Sequence, residues 1–132
     1  MDIVVYTDGA SRGNPGKAGI GAVIYDQNGQ VLKEISEYLG EATNNVAEYK
    51  AVIAGIRAGI DLKATMIKVN ADSQLLVRQL NGEYRVKNEG LKPLYKEALK
   101  LLSCFKSYKI EHIPREKNKI ADKLANRGID EA

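Results

Sequence analysis

Four acidic residues stand where an acid is awkward for folding and useful for chemistry. Glu48 is followed at three, four, seven and eight positions by Ala51, Val52, Gly55 and Ile56, so all five share one face of a helix. That face must pack on other structure, and a carboxylate there is expensive to desolvate unless it is paired or bound to a cation. A rim position with a snorkelling side chain is the ordinary alternative. Asn44 and Asn45 add polar groups one turn earlier on the same side. Asp8 follows the β-branched and aromatic run Ile3–Thr7 and enters a glycine-rich segment, while Asp72 directly follows the strand-like stretch Met66–Val69. Ligand sites of open α/β sheets gather outside the carboxyl ends of strands, which suits both acids. Their ordinary uses are an Asx turn for Asp8 and a helix cap for Asp72. Asp122 lies in the first turn of the last predicted helix, where its charge also complements the helix dipole. If the four meet, oxygen donors without His or Cys favour Mg²⁺ or Mn²⁺ over zinc. Spacing alone leaves the meeting open.

The elements that carry these acids follow from periodicity. Ile3–Thr7, Ile20–Tyr25 and Val31–Leu39 read as three antiparallel strands, the last two joined by an Asn28-Gly29 hairpin turn. After Thr43 the apolar period lengthens, and Thr43 or Asn44 can cap a helix. A strand at Met66–Val69 precedes a short helix opening near Asp72-Ser73. A longer helix from about Leu91 to Phe105 has Pro93 in its first turn, where no amide bond is lost. Tyr108–Ile113 reads as a strand, and Asn118 can cap a final helix to about Arg127, with Gly128 behind it. This order gives one mixed α/β sheet covered by helices.

Composition narrows the class. The 132 residues suit one domain, residues 1–132, and 44% apolar content excludes a disordered chain. The lone Cys104 excludes an internal disulfide or Cys-based metal cluster and points to a reducing, cytoplasmic setting. Apolar runs fall far short of the ~20 residues of a membrane helix, so no membrane partner is expected. Net charge is only +3, but residues 81–119 hold ten basic and five acidic side chains, against ten and twelve elsewhere. Lys92, Lys96 and Lys100 recur every four residues and by themselves describe a solvated helix face.

At its polar segments the sequence resembles a type 1 ribonuclease H, close to the compact form of archaea and many bacteria. The matching stretches are Tyr6-Thr7-Asp8-Gly9, Gly13-Asn14-Pro15-Gly16, Thr43-Asn44-Asn45-Val46-Ala47-Glu48, Asp72-Ser73-Gln74 and Asn118-Lys119-Ile120-Ala121-Asp122-Lys123-Leu124-Ala125, in family order. The resemblance implies a ribonuclease H-like fold, with a five-stranded mixed sheet of three antiparallel and then two parallel strands, flanked by helices. It implies a metal-dependent endoribonuclease that cuts the RNA strand of an RNA–DNA hybrid, leaving 5′-phosphate and 3′-hydroxyl ends. Asp8, Glu48, Asp72 and Asp122 would bind two Mg²⁺ or Mn²⁺ ions. Asn14, Asn44, Asn45 and Gln74 would meet 2′-hydroxyls and minor-groove base edges, since an amide both donates and accepts. Thr43 would help hold a DNA-strand phosphate. A monomer is expected.

Two departures qualify the match. Some bacterial relatives carry a basic helical protrusion between the second and third helices. Here a short loop crosses that interval, and Tyr84, Arg85, Lys87 and Asn88 are the candidates for a reduced contact. Many relatives also place a catalytic His in a mobile loop before the last acid. His112 reads as strand-borne, so Arg115, an always-charged phosphate partner, is favoured as the auxiliary group of that loop. Three other readings bear on the same residues. A phosphate-binding loop at Ser11–Ala18 fails, because Ser11 replaces its first Gly, Ala18 its Mg²⁺-ligating hydroxyl, and a strand follows where a helix should. A binding module without catalysis conflicts with four retained acids that repel phosphate. A nuclease that also cuts double-stranded RNA stays open, because A-form duplexes are read by shape and 2′-hydroxyls.

Overall fold

The computed structural model describes all 132 residues. Their strands form one five-stranded sheet in the order β3-β2-β1-β4-β5. β1 (Asp2–Gly13), β2 (Gly16–Tyr25) and β3 (Val31–Ala42) make an antiparallel meander; β4 (Met66–Ala71) lies parallel to β1, and β5 (Ser107–His112) parallel to β4. Parallel neighbours need crossovers, which helix α1 (Asn44–Asp61), and then α2 (Gln74–Leu80) with α3 (Lys92–Leu102), supply. The chain ends in α4 (Lys119–Asp130).

Buried side chains of the sheet and of α1 to α3, with Val86, Leu91 and Phe105 from the segments flanking α3, make one core of 24 residues. The buried face of α4 (Ala121, Leu124, Ala125 and Ile129) packs separately on β2, β3 and β1. Glycines set how closely the helices approach. A Cβ on Gly9 would lie 2.2 Å from the Ala47 carbonyl carbon, and one on Gly21 would lie 2.2 Å from the Ala121 oxygen. The N-terminal turns of α1 and α4 therefore press on bare backbone. Asp8 is the immediate neighbour of Gly9 and the cross-strand partner of Gly21. Both helices are brought to the same point of the sheet.

Several boundaries differ from the periodicity reading. β1 does not stop at Thr7: its antiparallel ladder with β2 continues to the Gly13↔Gly16 pair, whereas its parallel ladder with β4 ends at Thr7↔Ala71. Asp8 thus sits inside a strand, where one of its two partners leaves off. Ser73, not Asp72, caps α2, its hydroxyl accepting the Leu76 N–H at 3.3 Å. Thr43 caps α1 by accepting from Val46 N–H. α3 ends at Leu102, and Phe105 lies beyond it, buried in the following turn. Gly128 is not a terminator. It lies within α4, where a Cβ would meet the Glu37 carbonyl oxygen at 2.6 Å, so its role is close approach to β3. The shortened loop before α4 folds as a 3₁₀ turn at Arg115–Lys117.

Candidate active site

Asp8 is the hub. Asp72 follows Ala71, whose ladder partner is Thr7, so the parallel pairing sets Asp72 beside Asp8. Glu48 arrives because the first turn of α1 lies on Gly9, and Asp122 because Ala121 lies on Gly21. The four acids line one cleft of about 250 Å³, together with Arg12, Asn44, Arg115 and Asn126. All four are half-buried.

Burial and crowding govern their protonation. Burial, then the charge of Asp72, then a hydrogen bond and charge from Asp122 and the charge of Glu48, push the Asp8 carboxyl up to about 8. Burial raises Glu48 to about 7, aided by the charge of Asp72 and opposed by a hydrogen bond that the Ser73 hydroxyl donates. No three of the acids already stand in metal-ligand geometry; they share a cleft without closing a cage. Uncompensated carboxylates repel, and that crowding adds to burial in holding a proton on Asp8. A set of hard oxygen donors whose charges penalise one another fits a divalent cation well.

These shifts have a consequence for folding. A carboxyl whose pKa is raised in the folded state binds its proton more tightly there than in the unfolded chain. Its penalty is absent below the ordinary carboxylate range and grows as pH rises through the window from about 4 to about 8. The metal-free protein should therefore lose several °C of Tm, relative to its Asp8→Asn variant, between pH 5 and pH 8.5. Melts in EDTA across that range check this; parallel curves for the two proteins would contradict it. Comparison with the variant cancels the opposite, low-pH contributions of Glu111 and Asp130, which basic neighbours hold below their ordinary values.

Polar side chains brace the acids. The Asn44 amide donates to Glu48 Oε1 at 3.0 Å, and Asn14 Oδ1 accepts the Asn44 N–H at 3.2 Å, tying the β1–β2 turn to the start of α1. Asn126, one helical turn after Asp122, donates to its Oδ1 at 3.3 Å, while Arg12 pairs with Asp130 at 2.6 Å. Asn118 donates to Thr7 O at 2.9 Å and to Asp72 Oδ2 at 2.8 Å. It occupies the cap position of α4, but its side chain caps nothing there. Sequence reading missed Arg12, Ser73, Asn118 and Asn126 as parts of the site. Ser73 beside Asp72, and Asn118 and Asn126 four residues before and after Asp122, carried a local signal; Arg12 becomes a neighbour through tertiary packing alone.

The remaining predicted residues divide. Asn45 and Gln74 are exposed in the first turns of α1 and α2. Arg115 lines the cleft, whereas His112 is the exposed last residue of β5 and is absent from the cleft lining. Tyr84, Arg85 and Lys87 line a second, open groove of about 900 Å³, with Tyr95, Lys92 and Lys96 of α3 opposite them. Arg78 fixes one wall, stacking over the Tyr84 ring at 5.2 Å and donating to its hydroxyl. Asn88 closes a turn, its Oδ1 accepting the Gly90 N–H.

Residues 6–128 match the family described as reverse transcriptase-like. The bifunctional protein Rv2228c of Mycobacterium tuberculosis is 45% identical over 133 residues, covering all of this chain and 36% of that protein. Ribonuclease HI of Halobacterium salinarum is 42% identical over 127 residues, covering 96% of this chain and 64% of that one. The chain thus spans about a third of the first relative and under two thirds of the second. The crystal structure of LC11-RNase H1 in complex with an RNA/DNA hybrid superposes with a TM-score of 0.92 at 43% identity, covering 98% of this chain and 97% of that one.

Proposed function

Because the chain belongs to the ribonuclease H family, we propose that it is a metal-dependent endonuclease that hydrolyses the RNA strand of RNA–DNA hybrids. The observation that carries this reading is the convergence of Asp8, Glu48, Asp72 and Asp122 on one cleft, with Asp8 and Glu48 raised by burial and mutual charge. Such a cluster is costly for a protein that only binds a polyanion, and useful where cations must be held against a phosphate. Asp8, Glu48, Asp72 and Asp122 would hold two Mg²⁺ or Mn²⁺ ions, which would supply Lewis-acid stabilisation of charge at the phosphate for a hydrolysis giving 5′-phosphate and 3′-hydroxyl ends.

The protein's own part is holding and orienting. The four carboxylates provide the anionic seat, and Asn44 and Ser73 steady Glu48. Arg12 and Arg115, the cationic side chains of the cleft lining, offset phosphate charge at its rim. Asn14, Asn45 and Gln74 offer amides to 2′-hydroxyls and base edges, and Thr43 offers a position at the start of α1 for a DNA-strand phosphate. The purified protein should degrade an end-labelled hybrid in Mg²⁺ or Mn²⁺ and be inactive in EDTA. Binding without cleavage in either metal would reject the proposal, and equal cleavage of an RNA duplex would widen the substrate class.

The basic groove completes the interface. Arg85 and Lys87, with Lys92 and Lys96 across the groove, suit a nucleic-acid backbone. Charge reversal is unnecessary to test this. Each phosphate contact contributes a slope of roughly −0.7 to −0.9 in log affinity against log salt. An Arg85→Ala, Lys87→Ala double variant should weaken hybrid binding and flatten that slope by about 1 to 2. Binding titrations at several salt concentrations check it, and an unchanged slope would remove the groove from the interface.

A further inference from the structure

Beside the cleft lies a heavily tied residue that is none of the four acids. Asn118 is 1% exposed. Its Nδ2 hydrogens are both spent, one on Thr7 O at 2.9 Å and one on Asp72 Oδ2 at 2.8 Å. Its backbone oxygen accepts the Asp122 N–H at 3.1 Å, and its own N–H donates to Arg115 O at 2.9 Å. One residue thus touches the peptide that precedes Asp8, the carboxylate of Asp72, the amide of Asp122 and the turn that carries Arg115. Its Oδ1 is buried with no partner. An apolar residue in this place would leave no such oxygen stranded, so space-filling does not account for an amide here. The amide orientation is forced, because both groups facing Nδ2 are acceptors and a flip would set oxygen against oxygen.

We propose that Asn118 is a positioning residue for metal binding, fixing the Asp72 carboxylate through its amide while its backbone sets Asp122. This rests on the metal-binding reading above. By taking one lone pair of Asp72 Oδ2, the amide selects one rotamer of that carboxylate and leaves the other oxygen, Oδ1, directed by default. A carboxylate free to rotate must be ordered by each incoming cation; one held beforehand need not be. The link also ties the cap position of α4 to the residue that follows β4, two elements with no extensive packing on each other.

The test is Mn²⁺ binding by calorimetry below the melting temperature, on wild type and Asn118→Ala. The Ala variant keeps the backbone bond to Asp122 and removes only the amide. Its Kd for Mn²⁺ should rise about 10- to 100-fold, the range for lost outer-shell partners of metal ligands. In an Asp72→Asn background the same substitution should change the Mn²⁺-induced rise in Tm little, because the carboxylate it acts on is already gone. A purely structural role would lower the metal-free Tm and leave the Kd of the folded protein unchanged, and that result would overturn the proposal. Should the Ala variant not fold, Asn118→Ser, which keeps one short donor, is read in the same way. Failure of wild type to bind Mn²⁺ would instead reject the metal-binding reading itself.

Discussion

Asp72→Asn should abolish hybrid cleavage while leaving the protein folded and still able to bind its substrate. Asp72 is the acid whose charge bears most directly on both Asp8 and Glu48. Asparagine at 72 keeps the shape, and its side-chain oxygen can still accept from the Asn118 amide, so the local framework survives. What goes is one anionic ligand. Metal-assisted charge stabilisation is worth several kcal/mol. At about 1.4 kcal/mol for each tenfold in rate, kcat should fall by roughly 10³-fold or more. Binding of hybrid should be unchanged or tighter, because one charge that repels phosphate has been removed. The metal-free Tm should hold or rise for the same reason. Single-turnover cleavage with a parallel binding titration separates these effects. Retained turnover would exclude Asp72 from the metal seat, and loss of binding with loss of turnover would point to a damaged fold.

Gly9→Ala should have the largest effect on folding. Its Cβ would lie 2.2 to 2.4 Å from Ala47 C, Glu48 N and Ala47 O, all backbone atoms of α1. Backbone of a hydrogen-bonded helical turn cannot step aside as a flexible side chain can. Either α1 lifts from β1, opening the core along Val52 and Ile56, or the strand bends out of its ladder. Overpacking of this kind belongs with the large destabilisations, about 4 kcal/mol or more. For a domain of this size that is a Tm drop of about 12 °C or more. Thermal and chemical denaturation check it. A melt within a few degrees of wild type would show that α1 can shift cheaply, and any surviving protein should then show weakened metal binding, since Glu48 rides on the displaced turn.

The elements were readable from local chemistry because local chemistry makes them. The β-branched and aromatic run Ile3–Thr7, the Asn28-Gly29 turn and the stripe through Val52 and Ile56 each respond to neighbours within a few residues. Where the reading slipped, a distant partner decided. The glycine-rich segment after Thr7 predicts the end of the first strand there; pairing with β2 carries those glycines on as strand. Gly128 carries the mark of a helix terminator, and contact with β3 makes it a helix interior instead. Asn118 has the chemistry of a cap, yet its amide is drawn away by Thr7 and Asp72.

The candidate site divides along the same line. Residue types alone specify hard oxygen donors with no sulfur or imidazole among them, and that choice settles which ions would suit. Proximity is another matter. Asp8, Glu48, Asp72 and Asp122 are separated by tens of residues, and no local force draws like charges together. What assembles them is the packing of two helices onto bare backbone at Gly9 and Gly21, and a parallel ladder that ends one residue before Asp72. The raised protonation of Asp8 and Glu48, the reach of Arg12 and Arg115 into the cleft and the bracing by Asn118 exist only once that packing is made. Side-chain chemistry is written residue by residue, whereas distance is a property of the whole fold.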